Sequence, residues 1–356
     1  MNTIIAVVDS GITEEEQNSD LEKASEILRQ GGLVAFPTET VYGLGGDALN
    51  PKASEKIYAA KGRPSDNPLI VHIAKEEDLE RIARDIPKSA YELMDVFWPG
   101  PLTLIFHKQS IVPDSTTGGL DTVAVRMPSH NVAYELIRRS GIMLAAPSAN
   151  SSGRPSPTTA GHVREDLDGK IDMILDGGNC QYGIESTIVD LTGEIPMILR
   201  PGYITREMLE EIIGDVAVDP GIINDEGNVR PKAPGMKYTH YAPKGILSIV
   251  EGDSAEIVVQ SINRLVKERQ AAGCRVGVLA TGGNASAYEA DEVIIIGDKS
   301  DELMISANLY RTLREFDARG VDYIYSESFA GSGLGTAIMN RLMKAAGHRV
   351  IQASGV

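Results

Sequence analysis

Residues 34–46, VAFPTETVYGLGG, constrain the fold more than any other part of this sequence. The apolar start predicts a buried strand, and Pro37 predicts its end because proline has no amide hydrogen to pair within a sheet. The hydroxyls and carboxylate of residues 38–40 follow directly, and three glycines permit close approach of the backbone. Such a strand end delivers polar groups into a crevice. A polar turn without a ligand is the alternative interpretation.

The rest of the chain alternates short apolar strands with amphipathic helices, which predicts an α/β protein. At 356 residues it exceeds one ordinary core, so we expect two domains. The spacing predicts a first helix from Ser19, where Ser19 and Glu22 form a capping box. Strands and helices alternate again after residue 245, which predicts a small parallel sheet there.

The segment between these two parts differs in composition. Residues 232–243 have no helical or strand periodicity and are dense in aromatic and basic side chains. A passive spacer is more often rich in glycine and serine. We therefore predict domains at 1–214 and 246–356, joined by a linker at 215–245 that lies as a lid over the active site.

Charge and composition exclude several functions. The net charge of −16 repels phosphate backbones and argues against tight non-specific binding of nucleic acid. Cys180 and Cys274 match no metal-binding spacing and are typical of reduced thiols. The sequence shows neither a signal peptide nor an apolar run of membrane-spanning length, so we expect a cytoplasmic protein without a membrane partner.

Polar or basic residues cluster at five predicted strand ends or adjacent loops: 38–40, 61–67, 122–126, 148–156 and 186–200. Small hydroxyls with a few fixed cations suit a nucleoside triphosphate and a small zwitterion. Neither a P-loop nor a GxGxxG motif occurs in this region. Arg126 ends an apolar strand, so it needs an anionic partner, either a protein carboxylate or a ligand. His72 alternates with apolar neighbours, a pattern more typical of a half-buried structural histidine than of a ligand.

Seven motifs occur in a fixed order: FPTETVYGLG, KGRPSDNPLIVHI, PGPLTLI, GLDTVAVRMPSH, APSANSSGRPSPT, GIESTIVDL and ILRPG. Together they resemble the YrdC-like family. With PGMKYTHYAPK and the C-terminal α/β region, the whole chain is similar to two-domain threonylcarbamoyl-AMP synthases. The resemblance implies an N-terminal YrdC-like twisted mixed sheet with helices and a smaller C-terminal Rossmann-like parallel α/β domain. Two positions depart from the family pattern, Asn131 and Thr239.

The resemblance also implies an activity. A nucleotidyltransferase of this family converts L-threonine, bicarbonate and ATP, with Mg²⁺ accompanying the ATP, into L-threonylcarbamoyladenylate, pyrophosphate and water. The product feeds threonylcarbamoyladenosine modification of tRNA beside the anticodon, so the downstream tRNA-transfer machinery is an expected partner. Catalysis of this kind works by positioning and electrostatics, since the sequence shows no obvious nucleophile.

Site residues follow from the motif positions. The resemblance assigns threonine binding to Thr40, His72, Arg126 and Ser186. It assigns ATP binding to Arg63, Asn67, Thr122, Ser148, Ser156, Arg200 and Tyr241, the last acting from the linker beside His240. Lys61 and Arg63 are the expected catalytic cations, with Lys61 offsetting phosphate or carbamate charge. The resemblance implies no dedicated metal site.

Two other functions remain open at this point. A carbamoyl-transfer enzyme could use the same fold, although such proteins carry zinc-finger segments and no Cys-x-x-Cys pair occurs here. A non-enzymatic RNA-binding module is the second alternative, which the net charge disfavours. The sequence does not decide the oligomeric state, the role of the C-terminal domain, direct tRNA binding, or which group deprotonates the threonine amine.

Overall fold

The computed structural model describes residues 2–12, 18–222, 240–329 and 332–353. Contacts within the chain separate it into two compact units. Among the described residues, the first unit runs to Ile222, and the second comprises residues 240–353 together with the short segment 153–155. Most of the predicted linker, residues 223–239, lies outside the described residues, as does Thr239.

The first unit contains the longer run of elements. Its strands are β1 (Ile4–Val7), β2 (Val34–Phe36), β3 (Gly43–Asp47), β4 (Ile70–His72), β5 (Ala83–Arg84), β6 (Leu102–Lys108), β7 (Thr122–Arg126), β8 (Leu144–Ala145), β9 (Met173–Asp176), β10 (Thr187–Asp190), β11 (Met197–Arg200) and β12 (Ala217–Val218). Its helices are α1 (Ser19–Arg29), α2 (Pro51–Lys61), α3 (Glu77–Ile82), α4 (Lys88–Phe97), α5 (Asp114–Thr117), α6 (Asn131–Ser140), α7 (Ala160–Leu167) and α8 (Arg206–Ile213).

In the described part of the chain these twelve strands form one mixed sheet, ordered β1-β9-β2-β3-β8-β4-β7-β6-β10-β11-β12, with β5 paired to β6. This architecture confirms the predicted mixed sheet. The parallel pairing of β4 with β7 sets His72 directly opposite Arg126. Two polar residues that are far apart in sequence thus become neighbours at the ends of adjacent strands.

Residues 34–46 form two antiparallel strands joined by a turn. Strand β2 is fully buried and ends before Pro37, as predicted, and β3 returns beside it with Gly45 opposite Val34. A Cβ atom on Gly45 would lie 2.7 Å from the Phe36 ring, and one on Gly46 would lie 3.1 Å from Leu33. These glycines therefore make room for core side chains of the protein itself, and the predicted close approach is internal to the fold.

The helix caps show where local sequence signals worked. Asn50 caps α2 ahead of Pro51, and Thr159 caps α7, and both are residue types that favour this position. The predicted capping box at the start of α1 is wrong. Asn18 is the N-cap, and its side-chain oxygen accepts the amides of Asp20 and Leu21, so Ser19 already lies within the helix.

The second unit is a smaller α/β sandwich. It consists of β13 (Ile246–Glu251), α9 (Ala255–Ala271), β14 (Val276–Thr281), β15 (Glu292–Gly297), α10 (Glu302–Ala318), β16 (Tyr323–Glu327), α11 (Leu334–Ala345) and β17 (Val350–Gln352). All strand pairs in its described residues are parallel, in the order β15-β14-β16-β13-β17. The predicted Rossmann-like parallel sheet is confirmed. None of the helices in the described ranges has the length and apolar character that crossing a bilayer requires.

Candidate active site

The turn between β2 and β3 is organised by the Thr38 hydroxyl. It accepts the amides of Thr40 and Val41 at 3.2 Å each and donates to the Val41 carbonyl at 2.7 Å. Since that donation uses its only hydrogen, Thr38 accepts the 2.9 Å hydrogen bond that joins it to the Thr40 hydroxyl. The side chain of Thr40 is therefore held in one orientation, and its oxygen remains available as an acceptor.

Arg126 reaches this turn from the end of β7. Its Nη1 donates to the Thr40 hydroxyl at 2.9 Å and its Nε to the Gly100 carbonyl at 3.2 Å. Its Nη2 lies 2.6 Å from Oε1 of Glu39, and both residues are only 3% exposed. The sequence left two possible partners for this buried cation, and the structure supplies the protein carboxylate. We call Glu39, Thr40, His72 and Arg126 the ion-pair cluster.

His72 is the fourth member of this cluster. It is fully buried, and burial together with the neighbouring Arg126 cation lowers its pKa to about 3. Its Nδ1 lies 3.2 Å from the Ile70 carbonyl, and its ring meets Phe36 edge-on at 6.3 Å between centroids. The sequence pattern favoured a half-buried structural histidine, whereas the structure shows a buried, uncharged ring beside the cation.

Ser186 and Arg200 form a second buried group. The Ser186 hydroxyl bonds Thr103 at 2.7 Å, and Arg200 donates from Nη2 to the same hydroxyl at 3.1 Å. Arg200 also donates from Nε to the Ser186 carbonyl at 3.0 Å. Gly202 lies close behind, where a Cβ atom would overlap the Thr187 amide nitrogen. The motifs GIESTIVDL and ILRPG thus meet through the antiparallel pairing of β10 with β11, where this hydroxyl and guanidinium are hydrogen-bonded.

Lys61 holds the loop after β8. Its ammonium donates to the carbonyls of Ser148 and Asn150, the latter at 2.6 Å, and reaches the Asn150 side-chain oxygen at 3.3 Å. The Ser148 hydroxyl in turn donates to that side-chain oxygen at 2.5 Å. We call these three residues the lysine cluster. A buried cation facing three oxygens fixes the backbone of this loop.

The structure places the remaining expected ATP-binding residues of the first unit at separate positions. Arg63 donates to the Pro68 carbonyl at 3.2 Å, and Ser156 donates to the Glu185 carboxylate at 2.5 Å. Asn67 is buried, and its side-chain oxygen has no hydrogen-bond partner among the described residues. Thr122 begins β7 whereas Arg126 ends it, which separates them by about 13 Å at the rise of a strand.

Tyr241 lies in the second unit. Its ring stacks on Tyr310 at 5.0 Å between centroids, beside His240, and its backbone has a positive φ of 66°. Since only glycine adopts this backbone region without strain, the conformation of Tyr241 is held by its surroundings. The expectation that it closes over the active site stays a prediction.

A cavity of about 410 Å³ adjoins the ion-pair cluster. Loops that follow β1, β2, β7 and β9 line it, with Ser10, Glu39, His130, Asn131, Gly178 and Gln181 among its walls. Burial lowers the pKa of His130, an effect that the nearby Glu39 carboxylate opposes. Glu39 therefore pairs with Arg126 and also lines an open volume.

Comparison with known proteins shows which family this chain resembles. The Sua5/YciO/YrdC model, described as "Telomere recombination", matches residues 26–202, and the model "Threonylcarbamoyl-AMP synthase, C-terminal domain" matches residues 204–347. The threonylcarbamoyl-AMP synthase of Bacillus subtilis is 51% identical over 96% of this chain and 97% of its own length. That of Pyrococcus abyssi is 50% identical over 92% of this chain and 94% of its own.

The chain belongs to the threonylcarbamoyl-AMP synthase family. A solved structure of P. abyssi Sua5 complexed with L-threonine superposes with a TM-score of 0.92, at 48% identity, over 99% of this chain and all of that one. The sequence-based family assignment and the nucleotidyltransferase class are confirmed, and the non-enzymatic RNA-binding alternative is not favoured.

Within this threonylcarbamoyl-AMP synthase fold, the structure brings together Thr40, His72 and Arg126, separately links Ser186 with Arg200, and joins Lys61 to Ser148. Sequence reasoning noted the carboxylate between Thr38 and Thr40 but assigned no role to Glu39. The signal was present, because an acidic residue amid buried strand ends needs a cation just as Arg126 needs an anion.

Proposed function

We propose that the first unit converts L-threonine, bicarbonate and ATP into L-threonylcarbamoyladenylate, releasing pyrophosphate and water. The family uses threonine as substrate, and the ion-pair cluster is the observation that supports this chemistry most. It combines a buried guanidinium, a fixed hydroxyl and an uncharged histidine, which are groups that suit an amino acid. In this proposal, Arg126 binds the threonine carboxylate, with Thr40, His72 and Ser186 completing the pocket.

ATP binding is assigned to the surrounding polar residues. Arg63, Asn67, Thr122, Ser148, Ser156 and Arg200 contact the nucleotide in this proposal, with Tyr241 contributing from the second unit. Lys61 orders the 148–150 loop against the triphosphate, and Lys61 and Arg63 offset the charge that develops during adenylyl transfer. The carbamate oxygen attacks the α-phosphate in line, and pyrophosphate leaves.

Magnesium enters with the nucleotide in this proposal. The described residues contain no group of three or more His, Cys, Asp or Glu side chains arranged to hold a metal. Mg²⁺ in nucleotide sites commonly binds phosphate oxygens and water, with few protein carboxylates. The residues present therefore fit a MgATP substrate, in which the metal neutralises phosphate charge.

The product is a mixed anhydride that water hydrolyses readily. Membership of the family implies that a transfer enzyme acting on tRNA consumes it. The net charge of −16 argues against tight non-specific binding of nucleic acid by this chain.

Pyrophosphate release tests the proposed reaction. Purified protein supplied with MgATP, threonine and bicarbonate should release pyrophosphate, and omission of either threonine or bicarbonate should abolish the release. Mass spectrometry of the fresh mixture should detect threonylcarbamoyl-AMP. Release that is unchanged in a bicarbonate-depleted control would contradict the proposed reaction.

A further inference from the structure

The carboxylate of Glu39 is buried without a hydrogen bond. Neither of its oxygens has a hydrogen-bond partner among the described residues, and the same holds for Nη2 of Arg126. The 2.6 Å distance between Oε1 and Nη2 makes an ion pair, but its angle is not that of a hydrogen bond. Buried polar atoms in native proteins are nearly always satisfied, so this exception requires an explanation.

The hydroxyls on either side of Glu39 do not supply the missing bonds. The Thr38 hydroxyl donates to Val41, and the Thr40 hydroxyl donates to Thr38 while accepting from Arg126. The backbone of Glu39 is itself held, because its carbonyl accepts the Tyr182 amide at 2.9 Å. Both carboxylate oxygens are therefore buried with free acceptor capacity beside Arg126, and the residue also lines the 410 Å³ cavity.

The chemistry of the substrate matches this arrangement. The carboxylate and the ammonium of an α-amino acid are attached to the same carbon. A site that binds an amino acid through both groups therefore needs an anionic side chain next to the cationic one. A zwitterion that binds at the Glu39–Arg126 pair replaces one poorly aligned contact with two charge-assisted interactions. This argument rests on the proposed function, since it takes Arg126 as the partner of the threonine carboxylate.

The reaction also requires a proton acceptor, because a protonated amine has no lone pair with which to attack bicarbonate. His72 is a poor candidate, since a group with a pKa of about 3 binds a proton weakly near neutral pH. Glu185 already accepts the Ser156 hydroxyl, and Lys61 is a cation engaged by three oxygens. Glu39 is the carboxylate that adjoins Arg126 directly.

We propose that Glu39 binds the ammonium group of threonine and accepts the proton that this group must lose. One N–H bond breaks and one O–H bond forms, giving a neutral amine and a neutral Glu39 carboxylic acid. The amine then adds to bicarbonate, giving the carbamate and one water molecule. Glu39 returns its proton to solvent through the adjoining cavity before the next turnover.

Several titratable or charged groups face Glu39 and contribute to any pH dependence. They are Arg126 from β7, His130 at the start of α6, and Cys180 and Tyr182 from the loop after β9. Burial raises the pKa of both Cys180 and Tyr182, so these two stay neutral at working pH. Burial also lowers the pKa of His130 from its ordinary value of 6.5, so this ring is neutral at any pH above that value. Of these groups, Arg126 is the one that the structure places in an ion pair with Glu39.

Ligand discrimination tests the binding half of the proposal. Isothermal titration should show that the parent protein prefers threonine over 3-hydroxybutanoate, which lacks the ammonium, by tenfold or more. Glu39→Gln should reduce that preference at least tenfold, whereas Glu39→Asp, which keeps the charge, should retain part of it. Glu92→Gln, the same change at an exposed pair with Lys88, is the matched control and should bind like the parent. An unchanged preference in Glu39→Gln would overturn the proposal.

The pH dependence of turnover tests the proton transfer. At pH 7 the Glu39→Gln variant should lose about 100-fold in kcat, the lower end for removal of a general base. Its residual rate should rise about tenfold per pH unit, because only the free amine then reacts. A flat profile, or a kcat equal to that of the parent, would contradict the assignment.

The reverse reaction separates this role from a structural one. Formation of ATP from threonylcarbamoyl-AMP and pyrophosphate yields the carbamate and needs no amine deprotonation, so Glu39→Gln should catalyse it within about threefold of the parent rate. An equal loss in both directions would make Glu39 a structural residue and refute the proposal. Absence of both reactions in the parent would instead refute the proposed function.

Discussion

Removing the cation of the Glu39–Arg126 pair should destabilise the first unit strongly. Both side chains are 4% exposed, and Arg126 also bonds Thr40 and Gly100. Arg126→Met keeps much of the side-chain volume but leaves a buried carboxylate without its counter-charge. Breaking such a pair costs about 3–5 kcal/mol. At about 2–4 °C per kcal/mol for a domain of this size, the melting temperature of the first unit should fall by roughly 6–20 °C.

The double variant shows whether charge is the cause. Replacing both members of a buried ion pair with apolar residues is often neutral or stabilising. Glu39→Leu combined with Arg126→Met should therefore be more stable than either single variant. The coupling energy should exceed about 2 kcal/mol, near the upper part of the range for residues in contact.

The chain offers a reporter that is specific to this unit. Trp98 is the single tryptophan of the sequence, lies in the core of the first unit, and donates to the Leu102 carbonyl at 2.8 Å. Its fluorescence during urea or thermal unfolding therefore follows the first unit alone. Lys88→Met, which removes an exposed ion pair with Glu92, should leave the midpoint unchanged. If Arg126→Met also melts like the parent, or if the double variant is no more stable than the single variants, the ion pair does not contribute to stability.

Four further results are expected. Lys61→Met should raise the KM for ATP tenfold or more in the pyrophosphate assay, because the 148–150 loop loses its cation. The KM for threonine should change little, and an equal rise in the two KM values would argue against a role of Lys61 in ATP binding. Gly45→Ala should lower the free energy of unfolding by about 1–3 kcal/mol, since its Cβ atom would meet the Phe36 ring at 2.7 Å. Trp98 fluorescence measures this loss, and a second change of Phe36 to Leu should restore part of the stability. His72 has a pKa lowered from 6.5 to about 3, so stability should fall as pH drops below 6.5, and His72→Gln should show a shallower loss between pH 6.5 and 3 in the same assay. Tyr241→Ala should reduce the yield of threonylcarbamoyl-AMP; a parental yield would contradict its predicted role at the active site.

Much of this protein follows from local sequence. The proline after β2 ends that strand, the Asn50-Pro51 pair starts α2, and alternating patterns place the parallel sheet of the second unit. These features depend on neighbours within a few residues, so a linear sequence contains the information. The start of α1 was misjudged by one residue because Asn18 and Ser19 are both good caps, and only the side-chain geometry separates them.

The ordered motifs also identified the family, because they preserve the residue types that the chemistry requires. The position of Arg126 at the end of an apolar strand identified a buried cation in need of an anion, but the sequence did not identify Glu39 as that anion. The two residues are 87 positions apart, and their contact depends on the turn that Thr38 organises and on the register of β7.

Sequence by itself therefore determined the element types, the family and the residue types at the site. Tertiary structure alone decided that the glycines of residues 34–46 admit Phe36 and Leu33, and that Lys61 holds the loop at Ser148. It also decided that the Glu39 carboxylate is buried without a hydrogen bond beside an open cavity. The physical reason is that strand and helix signals arise from the chain's own neighbours, whereas burial, ion pairing and pKa depend on which distant segments the fold brings within a few ångströms.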